Sequence, residues 1–410
     1  MASDMRNVIV IAAMLALVTP AFAQPAPPTR AELQRVDRIL KRTPLIDGHN
    51  DLPWEIADSF GGDLSKVDLA ADTRTLTPPL HTDIARLRAG RLGAQFWSVY
   101  VPASLKGREA TEKVFEQIDL TRRIVAAHPE TFEIANSADD IIRIHRRGRI
   151  ASMFGIEGGE AINGNLALLR EFRRAGVLYM TLTHSLTTDW ADSATDAPKH
   201  GGLSPFGEDV IREMNKVGML VDLSHVSAET MHDALRVTKA PVIFSHSSAF
   251  GVASHPRNVP DDVLRLLPAN GGVVMVNFYP AFLSDAVWDW SSRRAAEEAR
   301  LKARNPGNPD AVKAGLVAWA AANARPATDI ALVADHIEHI RKVAGVDHVG
   351  IGSDFDGVPY LPTGLEGVET YPALFVELMR RGWSDADLAK LAGGNVLRAL
   401  RRAGAVAARE

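Results

Sequence analysis

The chain has no cysteine. Disulfides, thiolate metal sites, a cysteine nucleophile and a lipidated N-terminal cysteine are therefore excluded. Any metal must be held by histidine, aspartate or glutamate. Aromatic residues make up only 6% of the 410 positions. No basic stripe interleaves with them, so no feature calls for nucleic acid as a partner. Net charge is small as well, −4 from 46 basic and 50 acidic residues, which asks for no anionic membrane surface. After the first 23 residues no apolar run nears the ~20 residues that span a bilayer, so no transmembrane segment is expected in the mature chain. No internal repeat is visible, and the one biased stretch is the proline-rich QPAPPT at 24–29.

What is present begins with a leader. Residues 1–23 pass from a segment with one arginine, Arg6, through an apolar stretch from Val8 to Val18, to Ala21-Phe22-Ala23. That is the layout of a secretory signal peptide cleaved after Ala23. A secreted chain without disulfides fits a bacterial periplasm. Residues 24–43 read as a connector and a short helix. Residues 44–410 read as a single catalytic domain with a helical insert near 284–326.

Within that domain short apolar runs alternate with amphipathic stretches. The runs are 45–51, 94–101, 150–158, 177–185, 219–227, 241–248, 272–279 and 349–357. Each is nearly continuous in Val, Ile, Leu, Met and Phe, as strands buried on both faces are. Helical periodicity marks 112–128, 207–218, 228–238 and 329–345. Strands alternating with helices pair in parallel through right-handed crossovers. Eight such strands point to an α/β fold of the closed (β/α)8 TIM barrel kind. The competing arrangement is an open doubly wound sheet, but no glycine-rich phosphate loop follows the first strand. Two connections, 185–206 and 283–326, exceed ordinary loop length and read as lids or substrate loops.

The informative pattern is where the polar residues fall. The first strand ends in LIDGHNDLPW, with His49 and Asp51 spaced to share a strand face. The third ends in Glu157, the fourth in His184, the fifth in His225, the sixth in His246 and the eighth in Asp354. Barrel active sites sit at the C-terminal ends of the strands, so these side chains converge on one mouth. Singly, each has a plain structural explanation as a hydrogen-bonded residue or a helix cap. Together, buried acids and imidazoles cost several kcal/mol unless paired or metal-bound.

Imidazole and carboxylate without thiolate suit zinc, with manganese, cobalt or iron as alternatives. His49, Asp51, Glu157, His225 and His246 are too many ligands for one tetrahedral catalytic zinc. They suit two ions about 3.5–4 Å apart if a carboxylate bridges. Glu157, among Gly155, Gly158 and Gly159, is the natural bridge, and a hydroxide between two such ions is a nucleophile at neutral pH. From spacing alone Arg257 reads as a surface residue paired with Asp261 or Asp262, though it could clamp a substrate carboxylate. His336, His339 and His348 read as structural or exposed. Trp54, Trp288 and Trp290 could wall a pocket, although aromatic residues more often serve the core.

The stretches DGHNDLPW, FGIEGGEAI, MTLTHS, GLSPFG, VDLSHVS, PVIFSHSSA, RNVPDDVLR, VMVNFY, IGSDFDGV and GNVLR occur in that order over residues 45 to 398. In this order they resemble the renal, or membrane, dipeptidase family of binuclear zinc enzymes. The resemblance implies a metal-dependent hydrolase barrel with two zinc ions per chain, one on His49 and Asp51 and the other on His225 and His246, with Glu157 bridging. His184 would contact substrate and stabilise the oxyanion. Arg257 would bind the dipeptide's C-terminal carboxylate, against the plain reading of its spacing. Asp354 would carry the proton near the free amine. The family implies dipeptides of L-Xaa with an L- or D-residue second, in some members β-lactam rings, and a homodimer. The alternative from the residues alone is a barrel metallohydrolase acting on another cyclic amide or a lactone. Unlike eukaryotic members, this chain has no cysteines for disulfides and no lipid-anchor signal, and its insert with Trp288 and Trp290 stands where a lid is expected.

Overall fold

The computed structural model describes residues 26–409, so the leader read at 1–23 lies outside the described residues. The described residues form nine parallel strands, eight of them from the apolar runs: β1 (Leu45–Asn50), β2 (Leu92–Tyr100), β3 (Phe132–Ile134), β4 (Ile150–Glu157), β5 (Val177–Thr181), β6 (Leu220–Asp222), β7 (Ile243–Phe244), β8 (Val273–Val276) and β9 (Val349–Ile351). Hydrogen bonding joins β2-β1-β9-β8-β7-β6-β5-β4, and β2 pairs with β4 to close the ring. The result is the (β/α)8 barrel, and the open sheet is excluded.

β3 has no counterpart among the eight apolar runs. It is three residues long and pairs only with Ile150–Ser152 at the start of β4, whereas β5 takes Phe154–Glu157. So short an edge strand is almost without periodicity.

Several strands stop earlier than the apolar runs imply. β6 ends at Asp222 and β7 at Phe244. Beyond these points the backbone leaves the ladder because side chains capture its donors. Asp222 accepts from the amides of Ser224 at 3.1 Å and Ser245 at 2.8 Å. His184, His225, His246 and Asp354 thus sit on the mouth loops, whereas His49 and Glu157 remain at the ends of β1 and β4.

The barrel interior is filled by Ile46, Ala94, Phe96, Ala151, Met153, Tyr179, Leu220, Ile243, Val273 and Met275, all fully buried. Each such burial is worth about 1.5–3 kcal/mol for a large aliphatic or aromatic side chain. One contact ties this core to function. Tyr179 lies against Gly155 so closely that a Cβ there would be 2.0 Å from the ring. Glycine at 155 is what admits the tyrosine.

The insert forms two helices, Asp285–Arg304 and Pro309–Ala322, between β8 and the helix Ile330–Ala344. They are tied together by the Trp290 indole, which donates to the Asn323 carbonyl at 2.7 Å and packs on Trp319. No described helix is long and apolar enough to cross a membrane.

Candidate active site

β1 begins the site with an irregularity. Asp47 pairs with Gln95, but Asn50 pairs with Trp97, three steps against two. The extra residue is a bulge, and it leaves His49 aimed at the barrel mouth, stacked 3.9 Å from His246. Asp51 lies just past the strand as the N-cap of the helix Leu52–Phe60, not on a strand face as the alternation implied. The two side chains still meet, with His49 Nε2 3.2 Å from Asp51 Oδ2.

Glu157, the last residue of β4, faces both ways. Its Oε2 is 3.4 Å from His49 Nε2. Its Oε1 is 2.9 Å from His225 Nε2 and 3.3 Å from His246 Nε2, and those two nitrogens are 2.8 Å apart. His184 approaches from the loop after β5, its Nε2 3.9 Å from Glu157 Oε1. Asp354, after β9, accepts from Asn277 Nδ2 at 2.8 Å. A Cβ on Gly357 would fall 2.1 Å from Asp51 Oδ2 and 2.7 Å from Asp354 Oδ1, so only glycine lets these carboxylates share that corner. His225 and Asp354 both hold a left-handed backbone, φ 71° and 69°. Non-glycine residues adopt it at a cost of order 1–3 kcal/mol, and such strain clusters at functional sites.

The residues fit a divalent cation. His49 Nδ1 faces the Tyr179 hydroxyl at 3.2 Å, while that hydroxyl donates to the Gly48 carbonyl. In the neutral ring the proton is then on Nδ1, which leaves the Nε2 lone pair for a cation; Nε2 is buried and makes no hydrogen bond. The same logic holds at His246. Ser245 Oγ donates to Asp222 Oδ2 at 2.6 Å and so accepts from His246 Nδ1 at 2.8 Å. Two imidazole lone pairs and carboxylate oxygens pointed at one space are a cation's donor set, oriented from behind as metal-binding histidines are. Three groups have ligand atoms mutually within 4.8 Å: His49–Glu157–His246, Glu157–His184–His225 and His49–Asp51–Asp354.

Burial disfavours the charged form of His49, but the Asp51 and Glu157 carboxylates outweigh it and hold its pKa well above the ordinary value. Burial drives His225 and His246 well down, aided by the nearby cations. Burial opposes ionisation of Glu157, yet His49 and the other imidazoles hold it well below the carboxylate range. Asp354 is pushed up to about 7 by burial, the repulsion of Asp51 and Glu157 adding to it against the pull of His49. These are properties of the side chains alone, and a bound cation would favour the deprotonated form of each.

Arg257 is not on the surface. It is 2% exposed, donates to Ser247 Oγ at 3.4 Å and to the His246 carbonyl at 3.3 Å, and its Nε is buried with no partner. Asp261 and Asp262 pair instead with His339 and His232. Burial lowers Arg257 to about 10, so it stays charged at neutral pH. The mouth is a cavity of ≈ 370 Å³ walled by Trp54, Tyr100, Tyr279, Phe282, Val358 and Pro359. Trp54 therefore lines the pocket. Trp288 packs on His255 and Trp290 on Tyr360 and Trp319, away from the lining. His336 and His348 are buried on backbone groups.

Sequence reasoning missed the supports. Asp47 accepts from the Ser353 amide and hydroxyl, the Tyr371 hydroxyl and Gln95. Asp222 accepts from Thr181, Ser224 and Ser245. Both are fully buried, and both sit two or three residues before a histidine of the mouth, the one trace they leave in the sequence. Tyr100, Tyr179, Tyr279 and Phe282 left none.

A family model described as membrane dipeptidase, peptidase family M19, matches residues 33–410. An uncharacterized dipeptidase of Schizosaccharomyces pombe is 42% identical over 374 residues, covering 88% of this chain and 81% of that one. The crystal structure of a probable dipeptidase, PvdM, from Pseudomonas aeruginosa superposes with a TM-score of 0.79 at 25% identity, over 93% of this chain and all of that one. A metallopeptidase from Rhodobacter sphaeroides, liganded with a phosphinate mimic of the dipeptide L-Ala-D-Ala, shares the fold with a TM-score of 0.71 at 22% identity, over 88% of this chain and 99% of that one.

Proposed function

The chain belongs to the membrane dipeptidase family, peptidase family M19, and is a metallodipeptidase; from that premise we propose that it hydrolyses dipeptides of L-Xaa followed by an L- or D-residue, with two zinc ions per chain. The observation that carries the reading is Glu157, whose two oxygens face separate histidine groups. His49 and Asp51 would hold one ion and His225 and His246 the other, with Glu157 between them. When bound, the pair would supply Lewis acidity and a bridging hydroxide nucleophile at neutral pH.

The chain's own residues do the rest. Arg257, buried and charged beneath the His246 carbonyl, binds the dipeptide's terminal carboxylate. His184, kept neutral by burial, hydrogen-bonds the carbonyl oxygen as negative charge develops there. Asp354, held by Asn277 beside Asp51, takes a proton from the attacking water and passes it to the leaving amine. The aromatic wall excludes water, and the small cavity limits the substrate to two residues. The R. sphaeroides protein's dipeptide-mimic ligand supports this substrate class.

A second reading, hydrolysis of a cyclic amide or lactone including a β-lactam, draws on the compact His49–Asp51–Asp354 group. There Asp354 would be a ligand and one ion would suffice. Export to a bacterial periplasm and assembly as a homodimer complete the proposal. Cell fractionation and light scattering test them.

The deciding experiment is elemental analysis of metal per chain, with a ninhydrin assay of the Ala-Ala stereoisomers before and after chelation. About two zinc ions and chelator-sensitive cleavage are expected. One metal ion, or two with no dipeptide cleaved, overturns the reading in favour of the second.

A further inference from the structure

At the opposite end of the barrel, cations scattered through the sequence meet in one cleft. Lys41 comes from the end of the helix Arg30–Arg42, Arg88 from the helix Ile84–Ala89 and Arg91 from just before β2, Arg146 from the end of the helix Ala138–Arg146 and Arg149 from the turn leading into β4. With His145 and Asp37 they line a cavity of ≈ 730 Å³, against which Leu40, Leu92 and Ile150 supply an apolar surface. Leu92 and Ile150 are the first residues of β2 and β4.

The charges are unbalanced. Asp37, the one carboxylate in the lining, is engaged by Arg91 at 2.8 Å. Arg149 pairs with Glu133, which also takes Arg143. Arg88 has one nitrogen on Thr131 Oγ1 at 2.9 Å. The side chains of Lys41 and Arg146 make no hydrogen bond or ion pair among the described residues. His145 Nε2 is buried with no hydrogen-bond partner. With Arg91 on Asp37 and Arg149 on Glu133, Lys41, Arg88 and Arg146 are left without a carboxylate partner, in a chain whose net charge is −4, so this is a local concentration and not a spill-over of global charge.

We propose that this cleft binds a small soluble polyanion, a molecule carrying two phosphate groups or an equivalent cluster of negative charge. Guanidinium forks match phosphate oxygens two at a time. The volume exceeds one phosphate and lies within the range of small-molecule sites, so the ligand's carbon body packs on Leu40, Leu92 and Ile150. The cleft is separate from the catalytic mouth. β4 starts in one, at Ile150, and ends in the other, at Glu157, a span of about 23 Å at ~3.3 Å per residue.

The test is calorimetric titration of the metal-loaded protein with fructose 1,6-bisphosphate at about 150 mM salt, where long-range charge effects are screened. The expected result is saturable one-to-one binding. In the double variant Lys41→Ala/Arg146→Ala the Kd rises about tenfold or more, while Lys41→Arg/Arg146→Lys retains binding. Both residues are exposed and unpartnered, so circular dichroism and dipeptide turnover should match the parent in either variant. No binding, or an unchanged Kd in the alanine variant because the ligand sits elsewhere, overturns the proposal. So does binding to phosphatidylglycerol vesicles with none to the bisphosphate, which would make the cleft a membrane contact.

Discussion

The two ends of the barrel carry charge in opposite ways. At the C-terminal end, Glu157, His49, His246 and Asp354 are buried, 8% exposed or less. At the N-terminal end the cations stand in solvent, and their pairings, such as Arg91 with Asp37, are between side chains about half exposed. The Coulomb attraction of a pair at a given distance is several-fold larger out of water. An exposed pair is worth at most about 1 kcal/mol, whereas an uncompensated buried charge costs several. Burial is what turns the mouth into a site where His49 is oriented by Tyr179 and His246 by Ser245. At the opposite end individual contacts are weak, and only their number can matter.

If that contrast is right, effects should fall in order of burial. The largest belongs to Glu157→Gln, which replaces one of the two carboxylate oxygens that face the histidines by an amide nitrogen. Turnover should drop by on the order of 10³ or more, and zinc retained through dialysis should fall. Near-normal turnover would remove Glu157 from the centre. Next is Arg257→Ala, for which KM for dipeptides should rise roughly a hundredfold, the ~2–5 kcal/mol typical of truncating a buried charge partner. An unchanged KM would end its role as the carboxylate clamp.

One layer out, Asp222→Asn alters the acceptor that orients Ser245 and thereby His246. Metal affinity should weaken about 10- to 100-fold, read by competition with a chromophoric chelator. Equal affinity would show that His246 needs no such support.

A fourth prediction concerns pH. His336 Nδ1 accepts from the Ala249 amide at 3.0 Å and Nε2 faces the Leu283 carbonyl at 3.1 Å, a pairing only the neutral ring satisfies. Burial lowers it from 6.5 to about 4. The unfolded chain therefore binds the proton first as pH falls. The contribution is complete above pH 6.5 and is lost between about 6.5 and 4, roughly 3 kcal/mol in all. Thermal unfolding of His336→Asn across that window should show a shallower pH slope than the parent, and identical slopes would contradict it.

The smallest effect belongs to the exposed tie between Glu32 and Arg380, 2.8 Å long. Arg380 and the Thr29 cap bring the Glu32 carboxyl down to about 2. Its support is present above the ordinary value and goes as pH falls toward 2. Glu32→Gln at neutral pH should move Tm by about 2 °C or less. A shift as large as that of a buried variant would break the contrast.

The barrel was legible because strands buried on both faces must be apolar throughout, and eight runs of that kind stand out in 45–357. β3 was not legible because three residues carry no period. The strands were drawn too long at 177–185, 219–227 and 241–248, since composition cannot register where Ser224 and Ser245 trade ladder bonds for Asp222. The ligand candidates were legible as polar residues that end apolar runs. Arg257 was misplaced by spacing, because its neighbours Asp261 and Asp262 are claimed by His339 and His232, and those histidines lie 78 and 30 residues from their partners.

The sequence by itself determined the strand–helix alternation, the absence of thiolate chemistry and the imidazoles and carboxylates that gather at one mouth. These are local properties: apolar runs, residue types and positions along the chain. Tertiary structure alone decided which nitrogen of His49 and His246 is bare, because Tyr179 and Ser245 reach them from other strands. It alone buried Arg257 and raised Asp354, because burial depends on what packs above a residue. It alone assembled Lys41, Arg88, Arg91, Arg146 and Arg149 into one cleft, since charges from three separate segments share a field only once the barrel has closed.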